Sequence, residues 1–350
     1  MKRLCFVVLL LAVMAGSGRA ATVGTWYGAA GPDPPVGTGS WADSYWNSTR
    51  DLYLTPPGTV GDEVKITRDA TVCTVKTVVG NCNWTTSVGS LMTGGAAARM
   101  EIMAGSSIGM KEMRIGSGGA TGSATITGYL DQTGGTLSVY ADGDIYVGRM
   151  GNAATKIGIG YYTISGGALT YDATTTTKGR LYVGGCSGTE GMNGAIGTFT
   201  VVGNDATINM KKLYIGAQTT TRYGTGTLEF KIDSDGVSPV RLSDPDSIIL
   251  DQAGALSTAA LVVSLLAAPP SGEILLVENT STGPVQGIFD SLNGGSAIEG
   301  ASVVLGSNTY TLTYMGGIGG NDIVLIPEPA TMVLLGLGGL IVVKRQRSKK

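Results

Sequence analysis

Gly105-Ser106-Ser107-Ile108-Gly109 carries the G-x-S-x-G spacing. On a strand-to-helix turn that spacing lifts a serine hydroxyl toward substrate, provided a neighbouring base takes its proton. The base is normally histidine, and none of the 350 residues is histidine. With 56 glycines in the chain the spacing arises by chance, so Ser107 is read as structural. The same lack removes the His-containing zinc sites and the commonest general acid–base chemistry.

Two pairs of carboxylates remain, Asp142-Gly143-Asp144 and Asp233-Ser234-Asp235, with Arg149 and Arg241 as available cations. Side chains at i and i+2 of a strand point the same way, so either pair suits a hard cation such as calcium. Clustered Asp with a basic partner is also the equipment of polysaccharide lyases and hydrolases built on parallel β-helices. Asp beside Gly is equally turn chemistry, because its side chain bonds the backbone two residues on. The turn is the reading adopted for both pairs. Gly316-Gly317-Ile318-Gly319-Gly320-Asn321-Asp322 approaches a calcium-binding nonapeptide, but calcium rolls share each ion between stacked copies and the chain has one. No catalytic residue, metal ligand or cofactor is therefore assigned.

The elements that would carry these residues repeat. Met113-Arg114-Ile115-Gly116, Ile145-Tyr146-Val147-Gly148, Leu181-Tyr182-Val183-Gly184 and Leu213-Tyr214-Ile215-Gly216 are four copies of apolar–x–apolar–Gly, their glycines 32, 36 and 32 residues apart. A second element follows in Thr125-Ile126-Thr127-Gly128, Thr163-Ile164-Ser165-Gly166 and Thr200-Val201-Val202-Gly203, and a third in Thr136–Val139, Ala168–Tyr171 and Ala206–Met210. Alternation of period two puts Ile145 and Val147 on one side of a strand and Tyr146 on the other. One unit cannot bury its apolar side, whereas stacked units share a continuous interior. Three short strands in about 32 residues, parted by Gly-rich corners and one longer polar loop, predict an all-β parallel β-helix of about four coils, with an antiparallel sandwich or a propeller as the competing architecture.

In that stack Tyr146, Tyr182 and Tyr214 line up on the outer side of one sheet, beside Arg114. The ladder has two readings. It is a column of good strand residues supporting one another, or an exposed platform whose rings stack on sugars and whose hydroxyls add polar contacts. Leu261–Ala268, bounded by Pro269-Pro270, is too short for a membrane span and is read as a buried strand.

Composition agrees with short strands. Charged residues make up only 14% of the chain and aromatic residues 6%, and each interior glycine would cost a helix about 1 kcal/mol relative to alanine. Setting aside Lys2, Arg3, Arg19 and the five cations of the last seven residues leaves 16 positive charges against 26 negative, a net −10. Such a surface repels phosphate backbones and excludes nucleic acid as a partner.

Both ends are addresses. Lys2-Arg3 precedes the apolar run Leu4–Val13, and Gly18-Arg19-Ala20-Ala21 offers small residues for cleavage, so the chain is expected to pass the Sec translocon behind a signal peptide. Cys5 stands too early for a lipoprotein cleavage point and leaves with the signal. In an oxidising destination Cys73 and Cys82 are expected to form a disulfide, with Gly80-Asn81 turning a hairpin between them, and Cys186 is left as a semi-buried thiol. At the other end Pro327-Glu328-Pro329 precedes fourteen apolar or small residues, 330–343, and the basic terminus Lys344-Arg345-Gln346-Arg347-Ser348-Lys349-Lys350. The apolar run stalls in a membrane while the cations stay cytoplasmic. At about 1.5 Å per residue it spans about 21 Å, short of a hydrocarbon core of about 30 Å.

Pro327, Glu328, Pro329, Lys344, Arg345 and Arg347, with the apolar segment between them, resemble the PEP-CTERM sorting signal of exported bacterial proteins. The resemblance implies a transient stay in the inner membrane and an exosortase-type enzyme that cuts near the tripeptide, then releases or re-anchors the protein at the cell surface. Trp41–Asn47, Pro56-Pro57 and Gly61–Ile66 resemble the entry segment of autotransporter-passenger-like β-helices; Gly287–Leu292, Tyr310–Tyr314 and Gly320–Leu325 resemble their closing segment. All four tryptophans (Trp26, Trp41, Trp46, Trp84) precede the first repeat copy, as a cap over open strand edges would.

The expected organisation is a signal peptide over 1–20, an N-terminal cap and first strands over 21–98, the solenoid over 99–245, a β-rich closing segment over 246–326, and the sorting tail over 327–350 with a short transmembrane helix at 330–343. The expected function is that of a non-catalytic exported surface or matrix protein, structural or adhesive, associated with extracellular polysaccharide. The alternative is a secreted polysaccharide lyase or hydrolase on the same scaffold.

Overall fold

Alternation decides which side of each strand stays dry, and register decides what it meets there. A computed structural model describes residues 97–328 apart from 106, 111, 118–124, 140–142, 150–156, 172–177, 186–193, 217–223 and 251–256; upstream it describes the strands at 23–26, 38–40, 46–48, 63–66, 71–75, 78–81 and 85–90. The described residues form strands and turns without a helix.

The first sheet runs Glu112–Ser117, Ile145–Arg149, Arg180–Val183, Lys212–Ile215 and Ile248–Leu250, each parallel to the next. Ile115, Val147, Val183, Ile215 and Leu250 stand side by side on successive rungs, and Met113, Ile145, Leu181, Leu213 and Ile248 form a second column beside them. All ten are buried. Rungs about 4.8 Å apart leave no gap between neighbours, so each turn seals the apolar side chains of the last.

Each coil then crosses to a second sheet, where the strand bends into two segments. Ile126–Val139 and Gly158–Tyr171 pair in parallel along their whole length, with a bulge near Gln132–Thr136. In the next coils the bend opens into separate strands, Ala195–Val202 with Ala206–Met210, then Gly224–Ile232 with Val240–Leu242. The coil therefore has three strand segments, as the spacing predicts. Its inner columns are Leu130–Tyr162–Phe199–Leu228–Leu261 and Gln132–Ile164–Val201–Phe230–Val263.

That register corrects one alignment. Thr163-Ile164 lies beside Asp131-Gln132, not beside Thr125-Ile126. The Thr-Ile-Thr-Gly string at 125–128 imitates the later copies, while the true equivalent carries a glutamine where they carry Ile or Val. Gln132 is fully buried and satisfied: its amide donates to Ala168 O at 2.9 Å, and its carbonyl accepts the Tyr162 hydroxyl at 2.6 Å.

Glycines close the corner between the sheets. Gly148 has φ +70°, and a Cβ there would sit 1.9 Å from the Ile196 carbonyl oxygen on the following coil; the reciprocal Cβ on Gly197 would sit 2.0 Å from Val147 O. Gly184 and Gly226 repeat the arrangement one turn later. Only hydrogen fits there, which is why the apolar–x–apolar motif ends in glycine.

Parallel pairing does not stop at residues 98 and 245. Upstream it continues through Thr85–Ser90, Glu63–Ile66 and Val23–Trp26, and Trp26 lies opposite Trp46 in an antiparallel pair. The tryptophan side chains, and with them the expected cap, lie outside the described residues. Gly80 and Asn81 belong to the strand Val78–Asn81, paired with Ser107–Met110, so the expected hairpin is not formed there. Parallel stacking uses those residues to continue a coil. Cys82 and Cys186 lie outside the described residues, and so does the side chain of Cys73. Thr258–Leu265 is a strand as expected, but only every second side chain is buried.

At the far end the direction changes. Ile274–Asn279 is parallel to Val240–Leu242 on one side and antiparallel to Asp322–Pro327 on the other. Asn308–Gly316 follows antiparallel to Asp322–Pro327, and Ser302–Leu305 closes the edge. This antiparallel sheet covers the unpaired edge that a parallel stack would otherwise present.

Candidate functional site

The tyrosine ladder forms, and it is not exposed. Tyr146, Tyr182 and Tyr214 are in register, with ring centroids 4.9 and 4.7 Å apart and planes within 7° and 13° of parallel. They lie on the side of the first sheet opposite its interior columns, with Ile249 continuing the cluster. Their relative exposures are 3%, 0% and 6%. Sugar rings therefore find no open aromatic face here, and the exposed-platform reading of these three residues is corrected. Period two fixes the side a residue points to; it does not say what lies beyond that side.

An ion pair between the buried Asp144 and the partly exposed Arg180 sits at the ladder's foot. Asp144 accepts from Arg180 three times, from its backbone N at 3.1 Å, Nε at 2.9 Å and Nη2 at 2.7 Å. The Tyr146 hydroxyl donates to the same carboxylate at 3.3 Å. Burial alone would lower the Arg180 guanidinium; the hydrogen bonds and charge of Asp144 more than offset it and hold it above its ordinary value. The guanidinium lies 5.3 Å from the Tyr182 ring centre, and that of Arg149 lies 4.9 Å from Tyr146. Burial raises the Tyr182 and Tyr214 hydroxyls, and among the described residues the Tyr182 hydroxyl has no hydrogen-bond partner. The sequence offers Arg149 and Arg241 as cations for the carboxylate pairs, and Arg180 is the one that pairs with Asp144. The signal was in the repeat, because Glu112, Asp144, Arg180 and Lys212 each immediately precede the paired apolar residues of successive rungs.

The other carboxylate candidates are accounted for individually. Asp233 Oδ1 accepts the Asp235 amide at 2.9 Å and Oδ2 the Asn204 amide at 3.3 Å, which is turn chemistry across two coils. Arg241 is paired with Glu278 at 2.6 Å, and Arg149 reaches Glu112 at 3.4 Å. Asp142 lies outside the described residues. Ser107 opens the strand Ser107–Met110 and stands on no strand-to-helix turn. Among the described residues no group of three His, Cys, Asp or Glu side chains could hold a metal ion.

The outer side of the second sheet is different. Tyr129 and Tyr161 stack there with centroids 5.0 Å apart, and Tyr161 is 37% exposed. Thr198 and Thr227 continue their column. Past the bend, Tyr171, Asn209, Arg241, Ser243 and Thr280 line an open cleft of about 330 Å³. The Tyr171 and Ser243 hydroxyls are 2.7 Å apart, and the Lys211 ammonium is 5.6 Å from the Tyr171 ring centre. An aromatic ring, a guanidinium, an amide and hydroxyls in one shallow cleft can contact a hydroxylated or acidic sugar. Tyr129 and Tyr161 escaped sequence reasoning because the misaligned second element left them out of register.

The first two residues of the tripeptide are part of the fold. Pro327 ends the strand Asp322–Pro327 opposite Tyr310. The Glu328 amide donates to Thr309 O at 2.9 Å, and its carboxylate accepts the Ser302 hydroxyl at 2.9 Å. Residues 325–348 match the PEP-CTERM protein-sorting motif. The PEP-CTERM motif implies an exported, cell-surface-directed protein that is processed by an exosortase. Pro329, the apolar run at 330–343 and the cations Lys344, Arg345 and Arg347 lie outside the described residues, and so does the expected membrane helix. Among the described residues no helix is long and apolar enough to cross a membrane. No curated protein and no solved structure matches the chain.

Proposed function

We propose that this protein is a non-catalytic β-solenoid of the cell surface or extracellular matrix, structural or adhesive, that associates with exopolysaccharide along the outer side of its second sheet. The observation that carries this is that face itself. Its outward columns are Thr127-x-Tyr129, Ile159-x-Tyr161, Ile196-x-Thr198 and Thr225-x-Thr227 on successive coils, leading toward the Tyr171–Arg241 cleft. Parallel rungs present a hydroxyl-bearing side chain, tyrosine or threonine, every 4.8 Å or so, which suits a polymer rather than a single small substrate. The buried carboxylate Asp144 is committed to Arg180, and Asp233 to its own turn, which supports scaffold over lyase or hydrolase.

Co-sedimentation of the mature chain with the matrix polysaccharide of a producing strain tests this. Wild type is expected to sediment with the polymer and release no new reducing ends. Tyr161→Ala and Arg241→Ala are expected to weaken sedimentation several-fold. Failure of wild type to sediment would remove the polysaccharide association, and steady release of reducing or unsaturated ends would establish the enzyme instead.

A further inference from the structure

The sorting motif and the folded domain overlap, and the overlap has geometry. The matched segment begins at residue 325, inside the strand Asp322–Pro327. Leu325 is fully buried and pairs with Ile274 on one side and Leu312 on the other, so this strand is central, not an edge. Pro327 and Glu328 are its tip, held by pairing to Tyr310 and by bonds to Thr309 O and the Ser302 hydroxyl. Between Glu328 and the apolar run stands one residue, Pro329. Two residue steps reach at most about 7 Å. A membrane enzyme that cuts at the tripeptide therefore meets the closing sheet directly above it. The Glu328 amide and carboxylate at that point are already in use within the sheet.

We infer that docking of Pro327-Glu328 on the closing sheet competes with the exosortase, so that the tip must peel from Ser302 and Thr309 before the tail is cut. Strand ends open locally at far lower cost than the whole sheet, so the competition sets a rate without blocking the reaction. Ser302 is a positioning residue in this scheme: it holds the recognition segment in its docked form and touches no reacting atom. The inference rests on exosortase processing of the tail and adds what regulates it.

The full chain expressed in strains with and without exosortase, followed by pulse-chase and mass spectrometry of the mature C-terminus, tests it. Inserting Gly-Gly-Ser-Gly-Gly-Ser between Ile326 and Pro327 leaves the buried residues of the strand in place and frees the tripeptide. Processing is expected to quicken about 10-fold. Ser302→Ala removes one hydrogen bond and is expected to quicken it about 3-fold. Ser307→Ala lies on the same hairpin but loses only a bond to Asn308, and is expected to match wild type. Melting curves of each variant, read beside the rates, separate undocking from general loosening; Ser302→Ala should change the rate without lowering the melting temperature appreciably. Wild-type rates from both the insertion and Ser302→Ala, in a strain that does process the chain, would overturn the inference. Wild type left uncut in both strains would remove the sorting reading itself and the inference with it.

Discussion

The two sheets of the coil bear tyrosines in the same kind of position and treat them oppositely. On the outer side of the first sheet Tyr146, Tyr182 and Tyr214 stack into a closed column with an ion pair at its foot. On the outer side of the second, Tyr129 and Tyr161 stack just as closely, and Tyr161 stays exposed. Stacking follows from register alone, because any residue repeated once per coil meets itself. Burial follows from what packs over the face. Strands buried on both sides read as continuous apolar runs, and Leu-Tyr-Val satisfies that pattern once tyrosine is counted by its ring and not its hydroxyl.

The sharpest way to break the comparison starts in the shared interior. Val183→Asp would place an unpaired charge between Val147 and Ile215, and a loss of about 5 kcal/mol or outright misfolding is expected. A variant melting at the wild-type temperature would show that Val183 does not point inward. Next comes the first sheet's outer side. Asp144→Ala leaves the Arg180 guanidinium without its carboxylate, and about 3–5 kcal/mol should be lost in urea unfolding. Tyr182→Ala is expected to cost about 3–5 kcal/mol, against less than about 1 kcal/mol for Tyr161→Ala. Equal losses would erase the distinction between the two faces.

Alkaline pH sharpens it further. Burial raises the hydroxyls of Tyr162, Tyr182 and Tyr214, and pushes that of Tyr314 up to about 12. An unfolded tyrosine titrates near 10, so below that pH these groups keep their protons in both states. Above it the unfolded chain binds fewer protons than the folded one, and stability falls by about 1.4 kcal/mol per pH unit for each hydroxyl still protonated in the fold. Tyr182→Phe should make that fall shallower by the same amount between pH 10 and 12. The smallest effect is at neutral pH. Because the Tyr182 hydroxyl is buried without a partner among the described residues, Tyr182→Phe is expected to gain about 1 kcal/mol there, whereas Tyr162→Phe, which takes the donor from the buried Gln132 carbonyl, is expected to lose about as much.

The coil was legible in the sequence because its strongest signal is local. Apolar–x–apolar–Gly recurs at nearly constant spacing, and the columns of Val147, Val183 and Ile215 form as that spacing requires. Where a single residue breaks the pattern, the repeat is no longer legible. Gln132 occupies an inward position that Ile164 and Val201 fill elsewhere, and a look-alike string six residues upstream carries the expected pattern in its place. Gly80-Asn81 suggested a turn on composition, but pairing with the next coil draws those residues into a strand. The sorting tail was legible from the order of tripeptide, apolar run and cations, and the match over residues 325–348 agrees. Its docking was not, since nothing in Pro327-Glu328 records that Ser302, 26 residues earlier, faces the carboxylate.

The glycine corner has a consequence for how such a molecule can grow. Gly148 touches the backbone of the next turn and Gly184 the one after, so the latch between turns is made of main chain alone. It asks nothing of neighbouring side chains beyond the absence of a Cβ. A whole turn can therefore be gained or lost like a thread of constant pitch, and the cylinder lengthens or shortens without any change in its cross-section.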